Sequence, residues 1–130
     1  MTETDVQDRY IALLQRSGNL EEFAAGTTIF SKGEPAETMY VVQEGSVAIS
    51  IGDRTVEVVG EGGLFGEMAV IDREPRSAAA VAVTDTKLVS IDKRRFWFLV
   101  QETPYFAEIV MRVMASRLRR EGARPEQGTR

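Results

Sequence analysis

The stretch "VAISIGDRTVEVVGEGGLFGEMAVIDREPRSAAA", residues 47–80, decides how the chain folds. Val47, Ile49 and Ile51 alternate with Ala48 and Ser50, and Val56 and Val58 alternate with Thr55 and Glu57. A period of two sends successive side chains to opposite faces, so both runs read as strands with one buried face. Glycines at 26, 33, 45, 52, 60, 62, 63 and 66 punctuate the region at short intervals. That rhythm belongs to an antiparallel sandwich or barrel rather than to a parallel sheet with crossover helices. The predicted fold is mainly β with flanking helices: an eight-stranded antiparallel jelly-roll barrel over residues 21–92.

Outward from this region the period becomes helical. Thr4 and Gln7 form a capping box, Val6, Tyr10, Leu13 and Leu14 recur at helical spacing, and Gly18 offers a stop, which predicts a helix over 5–16. On the other side "TKLVSID", 86–92, supplies the last strand, and Asp92 caps a helix running to about Gln101. Thr103 and Pro104 then start a second helix to about Arg120. Its apolar stripe (Phe106, Ile109, Val110, Val113, Met114, Leu118) packs it on the roll and is broad enough for a dimer seam or a moving lid. In "RRFWFLVQ", Phe96, Leu99 and Val100 share one face, so Trp97 or Phe98 must point toward the last helix, a partner or solvent, with core packing the expected role and a subunit contact the alternative. The basic "RLRR" complements the dipole of the last helix. The whole forms one domain, residues 1–120, followed by a disordered tail, 121–130, with no apolar anchor.

Composition removes several classes of function. The 130 residues carry a net charge of −4, which disfavours generic nucleic-acid binding because phosphate-backbone affinity comes from clustered cations. There is no cysteine and no histidine, so thiolate metal sites and imidazole bases are unavailable. No carboxylates are spaced to hold a hard cation, so no metal is expected. The acidic amino terminus lacks the pattern of a signal peptide and no apolar run reaches the length of a membrane span, so a cytoplasmic protein without membrane association is expected.

Residues 66–80 interrupt the strands with a glycine and the apolar turn Met68, Ala69, Val70 and Ile71, which fits a helix of one or two turns. Such a helix presents unpaired N–H groups in its first turn, and Gly66 admits a ligand close to the backbone. Arg76 adds a guanidinium fork suited to phosphate, Ser77 a hydroxyl, and Ala78, Ala79 and Ala80 leave room. By themselves, Glu67 and Arg76 read as a surface ion pair across a turn. In this setting Glu67 instead asks for a donor on the ligand, such as a ribose 2′-hydroxyl. A ligand with one phosphate and one ribose hydroxyl uses every unusual residue of the stretch.

"FGEMAVIDREPRSAAAVA" closely resembles the phosphate-binding cassette of the cyclic nucleotide-binding domains, the group of the catabolite activator protein, the kinase regulatory subunits and the cyclic nucleotide-gated channels. The resemblance extends through "AGTTIFSKGEPAETMYVVQEGSVAI" and covers about residues 20–120. It implies that Glu67 accepts from the ribose 2′-hydroxyl beside the Gly66 backbone and that Arg76 pairs with the cyclic phosphate. Ser77 is implied to touch phosphate or base, Ala78 to face the phosphate with its N–H, and Met68 and Ala69 to lie along the cassette helix. Serine rather than threonine at position 77 favours cyclic AMP over cyclic GMP within that resemblance. The carboxyl end departs from the DNA-binding relatives, because Gly122 and Pro125 disfavour a longer helix. Cover over the base then falls to Arg119, Arg120 or Glu121. No helix-turn-helix comes after it, so DNA binding by this chain is not expected. The implied function is a stand-alone sensor without enzymatic activity, signalling to a protein partner or through a homodimer of the late helices. The alternative is an interaction module that keeps the fold without needing nucleotide.

Overall fold

The structure, a computed structural model, describes residues 12–123, with side chains to Arg120. Residues 12–17 are helical (α1), and the rest of the helix expected over 5–16 lies outside the described residues. Eight strands come next: β1 (Asn19–Phe23), β2 (Thr28–Phe30), β3 (Thr38–Glu44), β4 (Val47–Ile51), β5 (Arg54–Val59), β6 (Leu64–Phe65), β7 (Ala79–Ala82) and β8 (Thr86–Asp92). Helix α2 (Glu67–Asp72) interrupts them between β6 and β7, and α3 (Lys93–Glu102) and α4 (Pro104–Ala123) complete the chain.

The strands form two four-stranded antiparallel sheets, ordered β1-β8-β3-β6 and β2-β7-β4-β5, the expected jelly-roll architecture. In the first sheet Val41 lies opposite Val89, and Tyr40 opposite Phe65. Strand β3 is buried on both faces. Tyr40 and Val42 face the cluster inside the roll with Phe30, Val47, Val59, Phe65 and Leu88. Met39 and Val41 face a second cluster built from Leu14, Val89, Ile91 and the helix residues Phe96, Leu99, Phe106 and Val110. The first sheet is therefore the middle layer between the roll interior and the helices, and its central strands β3 and β8 carry apolar residues on both faces. Turn chemistry fixes the β3–β4 corner: Gly45 has φ 98°, and a Cβ there would stand 2.6 Å from the Asp85 carbonyl oxygen.

Four expectations are corrected. Val56 and Val58 do not share a buried face: Val58 is 58% exposed, and Val59 is buried instead. The cause is a bulge, because Ile49 pairs with Glu57 but Ser50 pairs with Thr55, leaving Val56 with no residue opposite. One extra residue reverses the facing of the strand beyond it, which turns Glu57 to the side of Ile49. Second, Trp97 and Phe98 are 43% and 50% exposed rather than in the core. Phe96 and Leu99 fill the buried face of α3, and Trp97 meets Phe96 only edge-on, at 5.0 Å between centroids. Third, α4 continues through Gly122 to Ala123, so 121–123 are helical and only 124–130 of the expected tail lie outside the described residues. A glycine near a helix end costs only about 1 kcal/mol, and Pro125 restricts chiefly the residue before it. Fourth, "RLRR" is not simply a dipole complement, because Arg117 and Arg120 both bond Glu57 on β5. The expected caps are present: the Asp92 carboxylate accepts from the Arg95 N–H at 2.8 Å, and α4 begins at Pro104.

Candidate functional site

Between α2, the strands β4 and β5, and the last turns of α4 lies a cavity of about 280 Å³. Its walls are apolar over Ile49, Ile51, Val56, Met114 and Leu118, with charged groups at Glu57, Glu67, Arg76, Arg117 and Arg120. All seven of the expected ligand residues line it: Gly66, Glu67, Met68, Ala69, Arg76, Ser77 and Ala78. The sequence brings them together because α2 is short. Gly66, at φ 81°, turns the chain into the helix with no side-chain cap, and Arg73, at φ 63°, ends it after six residues. Ala69 and Val70 are buried, and Val70 packs into the cluster between the first sheet and the helices.

Arg76 is only 6% exposed. Its backbone is tied to the β2–β3 connection, its N–H donating to the Glu34 carbonyl at 2.9 Å and its carbonyl accepting from Gly33 N–H at 2.8 Å. Its guanidinium lies 3.9 Å from the centroid of the Phe30 ring. Nη2 donates to the Thr38 carbonyl at 2.8 Å and Nη1 to the Gly66 carbonyl at 3.2 Å, while Nε is buried without a partner. None of the ion pairs among the described residues includes Arg76. Burial pushes its pKa down, and the fields of Tyr40, Glu34 and Glu67 offset that only in part. The group is a buried cation bonded only to neutral oxygens, the two carbonyls and, at 3.5 Å, the Thr38 hydroxyl, a site that an anion stabilises. Gly66 is sterically required here: a Cβ would stand 2.8 Å from Arg76 Nη1.

Glu67, 2% exposed, does not pair with Arg76. Its Oε1 accepts from Arg117 Nη1 at 2.8 Å. Arg117 reaches it from α4 and also donates through Nε to Glu57 Oε1 at 2.8 Å, and through Nη2 to Glu57 Oε2 at 3.1 Å and to the Leu64 carbonyl at 2.7 Å. Arg120 Nη1 adds a bond to Glu57 Oε1 at 3.0 Å. Burial alone would raise the Glu57 carboxyl, but the hydrogen bonds and charges of Arg117, then Arg120, outweigh it and hold it below its ordinary range. For Arg117, burial acts downward, and its bonds to Glu57 and the field of Glu67 carry its pKa above the usual value instead. The network ties the end of α4 to both β5 and α2.

Of the three residues expected over the base, Arg120 lines the cavity, Arg119 is exposed and does not, and the Glu121 side chain lies outside the described residues. Sequence reasoning missed Glu57 and Arg117. Strict alternation places Glu57 on the outer face with Thr55, and only the bulge turns it inward. Arg117 was legible, since three- and four-residue steps from Val110 through Val113 and Met114 arrive at 117 on the same face. Among the described residues no group of three or more acidic, histidine or cysteine side chains is placed to hold a metal. No described helix is long and apolar enough to cross a membrane.

Comparison with known proteins agrees with this geometry. Residues 20–103 match the cyclic nucleotide-binding domain. The chain is 30% identical over 120 residues to a CRP-like cAMP-activated global transcriptional regulator of Mycobacterium tuberculosis, covering 88% of this chain and 54% of that protein. Among solved structures, the catabolite activator protein of Thermus thermophilus superposes with a TM-score of 0.78 at 31% identity, covering 88% of this chain and 56% of that one. A protein of a cyclic-GMP-dependent signalling pathway that regulates bacterial phytopathogenesis gives 0.73 at 28% identity, covering 91% and 94%. The chain spans about half the length of the curated relatives it matches first. With the cavity, the cassette helix and the buried arginine in the arrangement described, the chain belongs to the cyclic nucleotide-binding domain family.

Proposed function

We propose that this domain is a sensor that takes cyclic AMP in preference to cyclic GMP and passes the occupancy of its cavity to α3 and α4. The observation that carries the reading is Arg76: a buried guanidinium on the cavity wall that forms no ion pair among the described residues. The cyclic phosphate supplies that anion, assisted by the Ser77 hydroxyl and the Gly66 and Ala78 backbone. Arg117 occupies Glu67 Oε1, which leaves Oε2 to accept from the ribose 2′-hydroxyl. Met68 and Ala69 carry the cassette helix along the sugar. Arg120 is the base cover, being the one of the two candidates with a described side chain that lines the cavity. Ser77 supports the adenine preference. No bond is broken; the output is a population shift, which requires the nucleotide to favour one placement of the late helices over another. The signal goes to a protein partner, or to a second copy, since Met111 and Leu118 stand 62% and 64% exposed on α4.

Calorimetry with cyclic AMP and cyclic GMP tests this. Removing the Arg76 charge should weaken binding by about 1.5–3 kcal/mol, roughly 10- to 150-fold. Unchanged binding by Arg76→Ala refutes its role, and equal affinity for the two purines refutes the preference. The exposed Met111 and Leu118 favour one second reading, an interaction module that works without nucleotide. A melting temperature unmoved by millimolar cyclic AMP would support that module instead.

A further inference from the structure

Given a cyclic nucleotide in this cavity, the reading on which this step rests, we propose that Glu57 is a positioning residue that holds Arg120 over the purine ring and so sets the preference for purine over pyrimidine cyclic nucleotides. The strand positions that line this cavity from β4 and β5 are otherwise apolar, namely Ile49, Ile51 and Val56. Glu57 joins them only because the bulge at Val56 turns it inward. Bulges re-aim side chains beside functional sites in this way.

The donors divide the labour between the two arginines. Arg117 is largely committed: four of its five N–H donors, on Nε, Nη1 and Nη2, bond Glu57, Glu67 and the Leu64 carbonyl. Arg120, one turn further along α4, has a single hydrogen-bond partner among the described residues, Glu57, and is 44% exposed. A half-exposed arginine at a helix end samples many rotamers unless something holds it, and ordering it carries an entropic cost. Glu57 supplies the hold in advance, so less ordering is left for the moment of binding. The cavity that Arg120 lines also has apolar side chains at Ile51, Val56 and Leu118, the kind of lining a purine ring requires. A guanidinium above that ring adds cation–π attraction, and a fused purine offers it more overlap than a pyrimidine. The two carboxylates, Glu57 and Glu67, balance Arg117 and Arg120. The clamp therefore holds α4 in place without drawing the phosphate away from Arg76.

The test is the affinity ratio of cyclic AMP to cyclic CMP, measured by calorimetry on the unmodified chain, Glu57→Gln, Arg120→Ala and the double variant. Both single variants should lower the ratio by about 3- to 30-fold, and the double variant should lower it no further. A general loss of structure weakens both nucleotides alike and leaves the ratio in place, as Arg76→Ala should. Should Glu57→Gln fail to fold, Glu57→Asp keeps the charge but withdraws it by one methylene, and it should lower the ratio in the same direction. A ratio unchanged in the Glu57 variant, or falls that add in the double variant, would overturn the role of Glu57 while leaving the ligand assignment standing. Failure of the unmodified chain to bind either nucleotide would overturn both.

Discussion

Replacing Arg117 by methionine keeps most of the side-chain volume and removes the cation that hydrogen-bonds Glu67. Glu67 is 2% exposed, so bulk solvent is a poor replacement for the 2.8 Å bond from Nη1. A charge-assisted bond of this kind contributes about 1.5–3 kcal/mol. The Leu64 carbonyl loses a donor at 2.7 Å, worth about 1 kcal/mol. The Glu57 side contributes less, about 0.5 kcal/mol, because that carboxylate is 22% exposed and keeps Arg120. The expected loss is about 3–4.5 kcal/mol, a large share of the roughly 5–15 kcal/mol that holds a domain folded. Urea unfolding at neutral pH, followed through Trp97, the single tryptophan, reads it directly. In a Glu67→Gln background the same substitution should lose about 1–2 kcal/mol less, since no buried charge is then abandoned. A loss below about 1 kcal/mol, or one of equal size in both backgrounds, would refute the reasoning that the pair carries the attachment of α4.

Gly66→Ala should destabilise by about 1–2 kcal/mol from the left-handed backbone alone, and should also weaken cyclic nucleotide binding by pushing on Arg76. Stability near that of the parent would show that the turn tolerates a Cβ. The lowered pKa of Glu57 means that the unfolded chain holds the proton more readily. Its share of stability is thus present above its unfolded value of about 4.3 and lost as the pH falls through its lower folded value. Unfolding midpoints from pH 6 down to pH 3 should therefore fall less steeply in Glu57→Gln than in the parent; parallel curves would contradict the assignment. Met111→Glu and Leu118→Glu lie on exposed positions, so each should change stability by less than about 0.5 kcal/mol. Sedimentation velocity at high concentration would show reduced self-association if α4 pairs with a second copy, and no change would exclude that face.

The residues of the cassette were legible because they are contiguous. Gly66 through Ala78 needed only a short helix and a turn to converge, and local rules give both. Arg117 was half legible, as its spacing from Val110 and Met114 put it on the buried face while its neighbours in "RLRR" suggested a dipole role. Glu57 was not legible. A single unpaired residue at Val56 reverses the face of the strand, and nothing in the composition of "RTVEVV" reports where a partner strand skips. Trp97 and Phe98 were misplaced for a related reason: α3 has one buried face, and Phe96 and Leu99 fill it.

By itself, then, the sequence determined the antiparallel roll, the caps at Asp92 and Pro104, the short helix after Gly66 and the cluster of ligand groups around Arg76. Each depends on contacts between residues near in the chain or on a repeating period. Only the tertiary structure decided that Glu67 answers to Arg117, 50 positions away, and that β5 turns Glu57 inward to hold Arg120. Those pairings depend on how strands register and how a helix lands across them, which is settled by the packing of the whole domain and not by any segment of it.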